Sequence, residues 1–212
     1  IAAGNAEYNE FGEMIPPVKI ESPLELKIGS KCLYFPSCLA RKFRGMVTVA
    51  SLDETYKDLA DFSNYGDVEI AAPGVGMTTL KKANAYGTVA GTSYSAALVT
   101  GAAAYIIGFA KQNGYTYSPW LVEDILLNSA AKADSLTDKV IAGRYLDLSS
   151  LKKYLLSYAK KSEQERRAEP IADPEFEHSF LAGDDKGELL SIHILANELQ
   201  VHIDSRVELH VL

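Results

Sequence analysis

Gly91-Thr92-Ser93-Tyr94-Ser95-Ala96-Ala97-Leu98-Val99-Thr100-Gly101-Ala102-Ala103-Ala104-Tyr105-Ile106-Ile107-Gly108-Phe109-Ala110-Lys111 carries small and apolar residues almost without interruption. From Ser93 to about Lys111 the pattern predicts one long helix, which Gly114 can end. Because the apolar and small residues run nearly all the way round, that helix is expected inside the domain rather than on its surface. Ser93 falls at or beside the helix N-terminus, where free backbone N–H groups and the positive end of the helix dipole favour negative charge. Taken alone, Gly-Thr-Ser is most often a plain helix start with the serine as N-cap.

Three short apolar runs precede this helix: Ile1 to Ala3, Met46 to Ser51, and Val68 to Ala72 before Pro73-Gly74. Short, continuous and partly β-branched runs suit strands of a parallel sheet covered on both faces. After the helix, Ser118-Pro119 supplies an N-cap and a first-turn proline. Glu123 and Asp124 then place negative charge near the start of a second helix running through Ile125, Leu126 and Leu127. Ser149-Ser150 opens a shorter amphipathic segment with Leu151, Tyr154, Leu155 and Tyr158. From Lys160 to Pro174 charge and proline predominate, as in a linker or solvated arm. Leu189 to Ile194 and Leu199 to Leu212 alternate apolar and polar residues, the period of half-buried antiparallel strands. The expected fold class is therefore α/β with a mostly parallel sheet. Its expected divisions are a main unit over 1–158, a charged linker over 159–175 and a small β-rich extension over 176–212.

With 212 residues, 47% hydrophobic and 23% charged, the chain has the composition of one globular domain with a small appendage. A formal net charge of −7 leaves no basic footprint for nucleic acid or an acidic membrane surface, so peptides or proteins are the expected partners. No run is expected to span a membrane, since even Tyr94 to Ala110 contains Ser95, Thr100, Gly101 and Gly108. Cys32 and Cys38 lie close enough to be bridged, and a disulfide and two buried thiols both remain open.

Four stretches stand in a telling order: Ile1-Ala2-Ala3-Gly4-Asn5, Phe62-Ser63-Asn64-Tyr65-Gly66, Ala72-Pro73-Gly74, and Gly91-Thr92-Ser93 with its small-residue helix. In that order and spacing they resemble the subtilisin-like serine peptidases, from Ile1 to about Tyr158. The resemblance implies that Ser93 is the nucleophile attacking a scissile carbonyl once a histidine has taken its proton. It implies that Asn5 supplies the side-chain donor of the oxyanion hole beside the Ser93 backbone N–H. Ala2, Ala3 and Gly4 match one wall of the primary specificity pocket, although an ordinary buried strand end explains them equally well. The related sedolisins place an aspartate in the oxyanion hole, so Asn5 favours the subtilisin side.

Two departures matter. Tyr94-Ser95-Ala96-Ala97-Leu98 replaces the residues the family usually has after its nucleophile, with Ala97 where proline is usual; this relaxes a first-turn constraint without touching Ser93. The family's triad runs Asp, His, Ser along the chain, and both partners precede the Ala-Ala-Gly-Asn segment. His178, His193, His202 and His210 all follow Ser93, and Asp53, Asp58, Asp61 and Asp67 read as turn and loop residues. The expectation is that this chain is the C-terminal portion of the catalytic domain, inactive alone and completed by an N-terminal portion carrying Asp and His. The alternative is a non-catalytic relative that binds peptides or completes another chain. The resemblance further implies secretion, no cofactor for the chemistry, and a structural Ca²⁺ at no identifiable position.

Overall fold

The computed structural model describes residues 1–21, 34–161, 166, 179–183, 189–195 and 198–203. Its strands are β1 (Lys19–Ile20), β2 (Val49–Leu52), β3 (Tyr65–Gly66), β4 (Ile70–Pro73), β5 (Met77–Lys81), β6 (Ala85–Val89), β7 (Ala131–Lys132), β8 (Arg144–Tyr145), β9 (Ser179–Gly183), β10 (Leu189–Leu195) and β11 (Glu198–Ile203). The α-helices are α1 (Thr92–Gln112), α2 (Pro119–Ser129) and α3 (Leu148–Lys160).

The central sheet runs β2-β4-β8-β7. β2 and β4 are parallel with Val49 opposite Ile70, and β4 is parallel to β8, where Ala71 meets Tyr145. β7 closes that side antiparallel to β8. On the far side of β2, Ala2 forms a parallel bridge with Val49, Ala3 N–H donating to the Val49 carbonyl at 2.8 Å. The three expected strands thus lie side by side. Val49, Ile70 and Ala72 face a core shared with α1, α2 and α3, whereas Ala50, Leu52 and Ala71 face a second cluster with Val68, Leu136 and Val140. Burial on both faces is why these runs are continuously apolar rather than alternating.

α1 spans the predicted stretch, but the expected all-round burial does not hold among the described residues. Its buried positions, Thr92, Ser95, Val99, Ala102, Ile106 and Ala110, form one stripe at helical spacing against the sheet and α2. Ala97, Gly101, Ala104 and Gly108 on the other side are exposed, and Tyr105 is 49% exposed. An apolar circumference states what a helix can bury, and other layers decide what it does bury. A second expectation changes too: α1 has 21 residues and an 18-residue window of mean hydropathy 1.4, so by length and composition it is long and apolar enough to cross a membrane. Here Ser95 and Ala102 lie on the buried stripe, whereas a Cβ at Gly101 or Gly108 would meet nothing within 4 Å.

Both later helices are capped by short oxygen-bearing side chains. Ser118 Oγ accepts from Leu121 N–H at 3.1 Å, with Pro119 following in the first turn. α3 is capped by Asp147, one residue ahead of the Leu148 start, which accepts from Ser149 N–H at 2.8 Å and Ser150 N–H at 3.3 Å. It buries Leu151, Leu155 and Tyr158. Glu123 departs from its expected role beside the dipole: it lies past the first turn and is turned inward. Its side chain is 4% exposed, beside Arg44 at 3.4 Å, and accepts Gly45 N–H at 2.8 Å. A buried carboxylate needs such partners, and sequence spacing does not reveal them.

Glu69 in the Val68 to Ala72 run is fully buried, and burial pushes its carboxyl up to about 8, against the pull of the Thr48 N–H that it accepts at 2.7 Å. From the ordinary 4.5 up to about 8 the unfolded chain loses this proton while the folded one keeps it. Rising pH therefore favours unfolding across that window, and the penalty is complete above it. Glu69→Gln keeps an acceptor for Thr48 and removes the titration. In urea unfolding, its stability advantage over the parent is expected to grow between about pH 5 and pH 8; parallel pH profiles would refute the assignment.

β9, β10 and β11 form a separate antiparallel sheet of order β11-β10-β9, with Ile192 opposite Phe180 and Val201. The two expected strands are present as Leu189–Leu195 and Glu198–Ile203. Residues 204–212, expected to continue the second, lie outside the described residues, as does the expected linker apart from its first residues and Arg166.

Candidate active site

Thr92 and Ser93 are the first two residues of α1, and the N-cap is Gly91 rather than Ser93. Gly91 has φ of +150°, and a Cβ there would stand 3.2 Å from Asn5 Nδ2. Glycine lets the turn into the helix form with Asn5 pressed against it. Ser93 is exposed, while Thr92 beneath it is 1% exposed. Tyr94 N–H returns to the Gly91 carbonyl at 3.1 Å, and the Ser93 N–H donates to no described residue. It is one of the orphan donors of a helix start.

Asn5 lies on the chain leaving the Ala2 bridge, next to that orphan. Its Oδ1 accepts the Thr92 N–H at 3.0 Å and the Thr92 hydroxyl at 2.7 Å. With the carbonyl end of the amide committed twice to Thr92, the NH₂ end is the free one, and no described residue accepts from it. The Thr92 hydroxyl also accepts Gly4 N–H at 3.2 Å, so one threonine locks residues 4 and 5 to the helix start. Two unspent N–H donors thus lie beside an exposed serine, the arrangement that stabilises negative charge on a former carbonyl oxygen.

Phe62-Ser63-Asn64 braces the same segment. Asn64, fully buried, donates Nδ2 to the Ala3 carbonyl at 3.0 Å, accepts Val18 N–H at 2.8 Å, and gives its backbone N–H to Gly4 O at 3.0 Å. Ser63 pairs with Asn5 in an antiparallel bridge. Of the residues expected to form a pocket wall, Ala3 is fully buried, Ala2 is partly exposed, and Gly4 has φ of +98° and is backed by Tyr34. A Cβ at Gly4 would stand 2.6 Å from the Tyr34 ring, whose hydroxyl donates to the Asn5 carbonyl at 3.1 Å. Beyond Asn5 opens a cavity of about 380 Å³ lined by Ala6, Glu7, Ile15, Pro16, Val18 and Tyr34.

Thr92, Asn64 and Tyr34 are contributors that the sequence does not announce by themselves. Thr92 and Asn64 stand inside quoted motifs, so a signal existed. Tyr34 has none, because its place beside Gly4 is set by long-range folding.

No histidine joins this group among the described residues: His193 and His202 belong to β10 and β11, and His178 and His210 lie outside the described residues. Asp53 caps a surface turn by accepting from Thr55 and Lys57, and Asp58 pairs with Lys139 at 2.5 Å. Among the described residues no cluster of three or more His, Cys, Asp or Glu could hold a metal ion. Cys38, 1% exposed, is disulfide-bonded, which resolves the open alternative; the chain's other cysteine, Cys32, lies outside the described residues.

An exposed serine at a helix start with an asparagine amide beside it, on a parallel-centred α/β fold, is an arrangement compatible with serine hydrolases, and comparison with known proteins supplies the family. The sequence model of the subtilase family matches residues 1–163, and the chain belongs to that family of serine proteases. It is 30% identical over 138 residues to "Subtilisin-like protease 1" of Plasmodium berghei, a match covering 63% of this chain and 22% of that protein. It is 48% identical over 56 residues to "Subtilisin-like protease 6" of Trichophyton equinum, covering 26% of this chain and 14% of that protein. Among solved structures it is similar to the prenylagaramide maturation protease PagA, with a TM-score of 0.50 and 23% identity over 73% of this chain and 49% of that one. The chain therefore spans about half of that structure and a smaller share of the curated relatives.

Proposed function

We propose that these residues carry the nucleophile and the oxyanion hole of a peptidase that hydrolyses peptide bonds through an acyl-enzyme on Ser93. The observation that carries this reading is the double capture of Asn5 Oδ1 by Thr92, which leaves Nδ2 free beside the Ser93 N–H. Ser93 Oγ adds to the scissile carbonyl, whose oxygen takes up negative charge between the two donors. The amine leaves with the proton that the general base took from Ser93, and water then releases the acyl group.

Polypeptide outside these 212 residues supplies that base and its aspartate. The exposed small-residue side of α1 supports this, since it is a surface that a further layer would cover. The disulfide at Cys38 supports an oxidising, extracellular setting. Fluorophosphonate treatment of the complete protein, followed by peptide mapping, tests the reading. Label on Ser93 is the expected result. Label on another serine, or none, would favour a non-catalytic peptide-binding relative.

Residues 176–212 are an appendage to the catalytic unit in this proposal, with the division after α3. Removing everything beyond residue 161 from the complete protein is expected to leave its helical circular dichroism and its unfolding midpoint largely intact. Aggregation or loss of helical signal would make the extension part of the core.

A further inference from the structure

We propose that the cavity beside Asn5 receives a lysine or arginine side chain of the substrate peptide and that the Glu7 carboxylate selects it. This rests on the peptidase reading of Ser93 and names the substrate class of the same site.

The cavity adjoins Asn5 through three of its lining residues: Ala6 and Glu7 follow Asn5 directly in the chain, and Tyr34 donates to the Asn5 carbonyl at 3.1 Å. A side chain attached next to the carbonyl that Ser93 attacks is therefore the natural occupant. At about 380 Å³ the space falls in the range of small-ligand sites and holds a long side chain. Ala6, Ile15, Pro16 and Val18 make most of its lining apolar, which suits the methylene stem shared by lysine and arginine. Glu7 is its one charged lining residue among those described.

The position of Glu7 is built rather than incidental. Its carbonyl accepts Ile15 N–H at 2.7 Å, and one step further out Asn9 N–H reaches Glu13 O at 2.9 Å, closing residues 7–15 into a hairpin-like loop. Asn9 Oδ1 holds the tip by accepting Phe11 N–H at 3.0 Å and Glu13 N–H at 2.9 Å. Residues 6–18 include Glu7, Glu10 and Glu13 and no lysine or arginine, so the field at the cavity is negative on a chain of net charge −7. No described cation pairs with Glu7. An uncharged occupant would strip water from that carboxylate without replacing it, whereas an ammonium or guanidinium group makes a charge-assisted hydrogen bond.

The test uses the complete enzyme and peptidyl-aminomethylcoumarin substrates identical except for lysine, arginine or methionine before the scissile bond. Methionine is the uncharged residue of similar length. The expected result is a kcat/KM for lysine and arginine about tenfold or more above that for methionine. Glu7→Gln should bring the ratio close to one, and Glu7→Lys should invert it, with circular dichroism verifying the fold of each variant. A lysine-to-methionine ratio unchanged by Glu7→Gln overturns the proposal. If Ser93 takes no fluorophosphonate and no substrate is cleaved, the peptidase reading fails. The pocket is then judged by calorimetric binding of acetyl-arginine amide: weaker binding by Glu7→Gln supports it, and equal or absent binding overturns it.

Discussion

Alanine in place of Ser93 is expected to abolish fluorophosphonate labelling of the complete enzyme and to lower kcat on peptide substrates by about 10⁶, the scale known for loss of the nucleophile in subtilisin itself. The loss is large because no other group can form the acyl-enzyme, and binding plus the oxyanion donors then act only on unassisted water. The same substitution should cost the fold almost nothing. Ser93 is exposed, Gly91 holds the N-cap position, and alanine is the stronger helix former at the second residue of α1. Activity and unfolding midpoint should therefore separate cleanly. Stable labelling of another serine in the Ser93→Ala protein would move the nucleophile elsewhere.

Asn5→Ala is expected to lower kcat by about 10²–10³ with KM little changed, again the size found for this donor in subtilisin and carried over from it. The donor acts on charge that exists only in the transition state, so substrate binding hardly registers its loss. Here the substitution has a second cost. Asn5 Oδ1 is the acceptor for both the N–H and the hydroxyl of Thr92, so its removal strips the start of α1 of two partners. A modest loss of stability, about 1–3 kcal/mol, should accompany the loss of rate. Thr92→Val separates the two effects, because it keeps the amide donor and releases one of its anchors: a smaller fall in kcat is expected than for Asn5→Ala. Equal turnover in the parent and Asn5→Ala would remove Asn5 from the mechanism.

Much of this was legible in the chain itself. The helix from Thr92 to Gln112, the Ser118-Pro119 start of α2 and the strands at Val49–Leu52 and Ile70–Pro73 depend on near neighbours: runs of apolar residues, a cap, a proline, a glycine. The motifs around Asn5 and Ser93 could be read because together, in their order and spacing, they resemble the subtilisin-like family; singly each reads as an ordinary strand end or helix start. The buried pairing of Glu123 with Arg44, the raised carboxyl of Glu69 and the placement of Tyr34 under Gly4 were hidden. Each couples residues far apart in sequence, and an acidic side chain looks the same in a solvated helix as in a core.

By itself the sequence determined the α/β class and the three helices with the apolar strands that precede them, because local periodicity and caps encode these. Its resemblance to the subtilisin-like family paired Ser93 with Asn5; the short strands such as β5, β6, β7 and β8 it did not reveal. Only the tertiary structure decided that Thr92 turns the Asn5 amide so that its NH₂ end is free, that α1 buries one stripe and exposes the other, and that Glu7 lines a cavity beside Asn5. Those outcomes depend on contacts between residues tens of positions apart, where what matters is distance and orientation, and no one-dimensional pattern carries either.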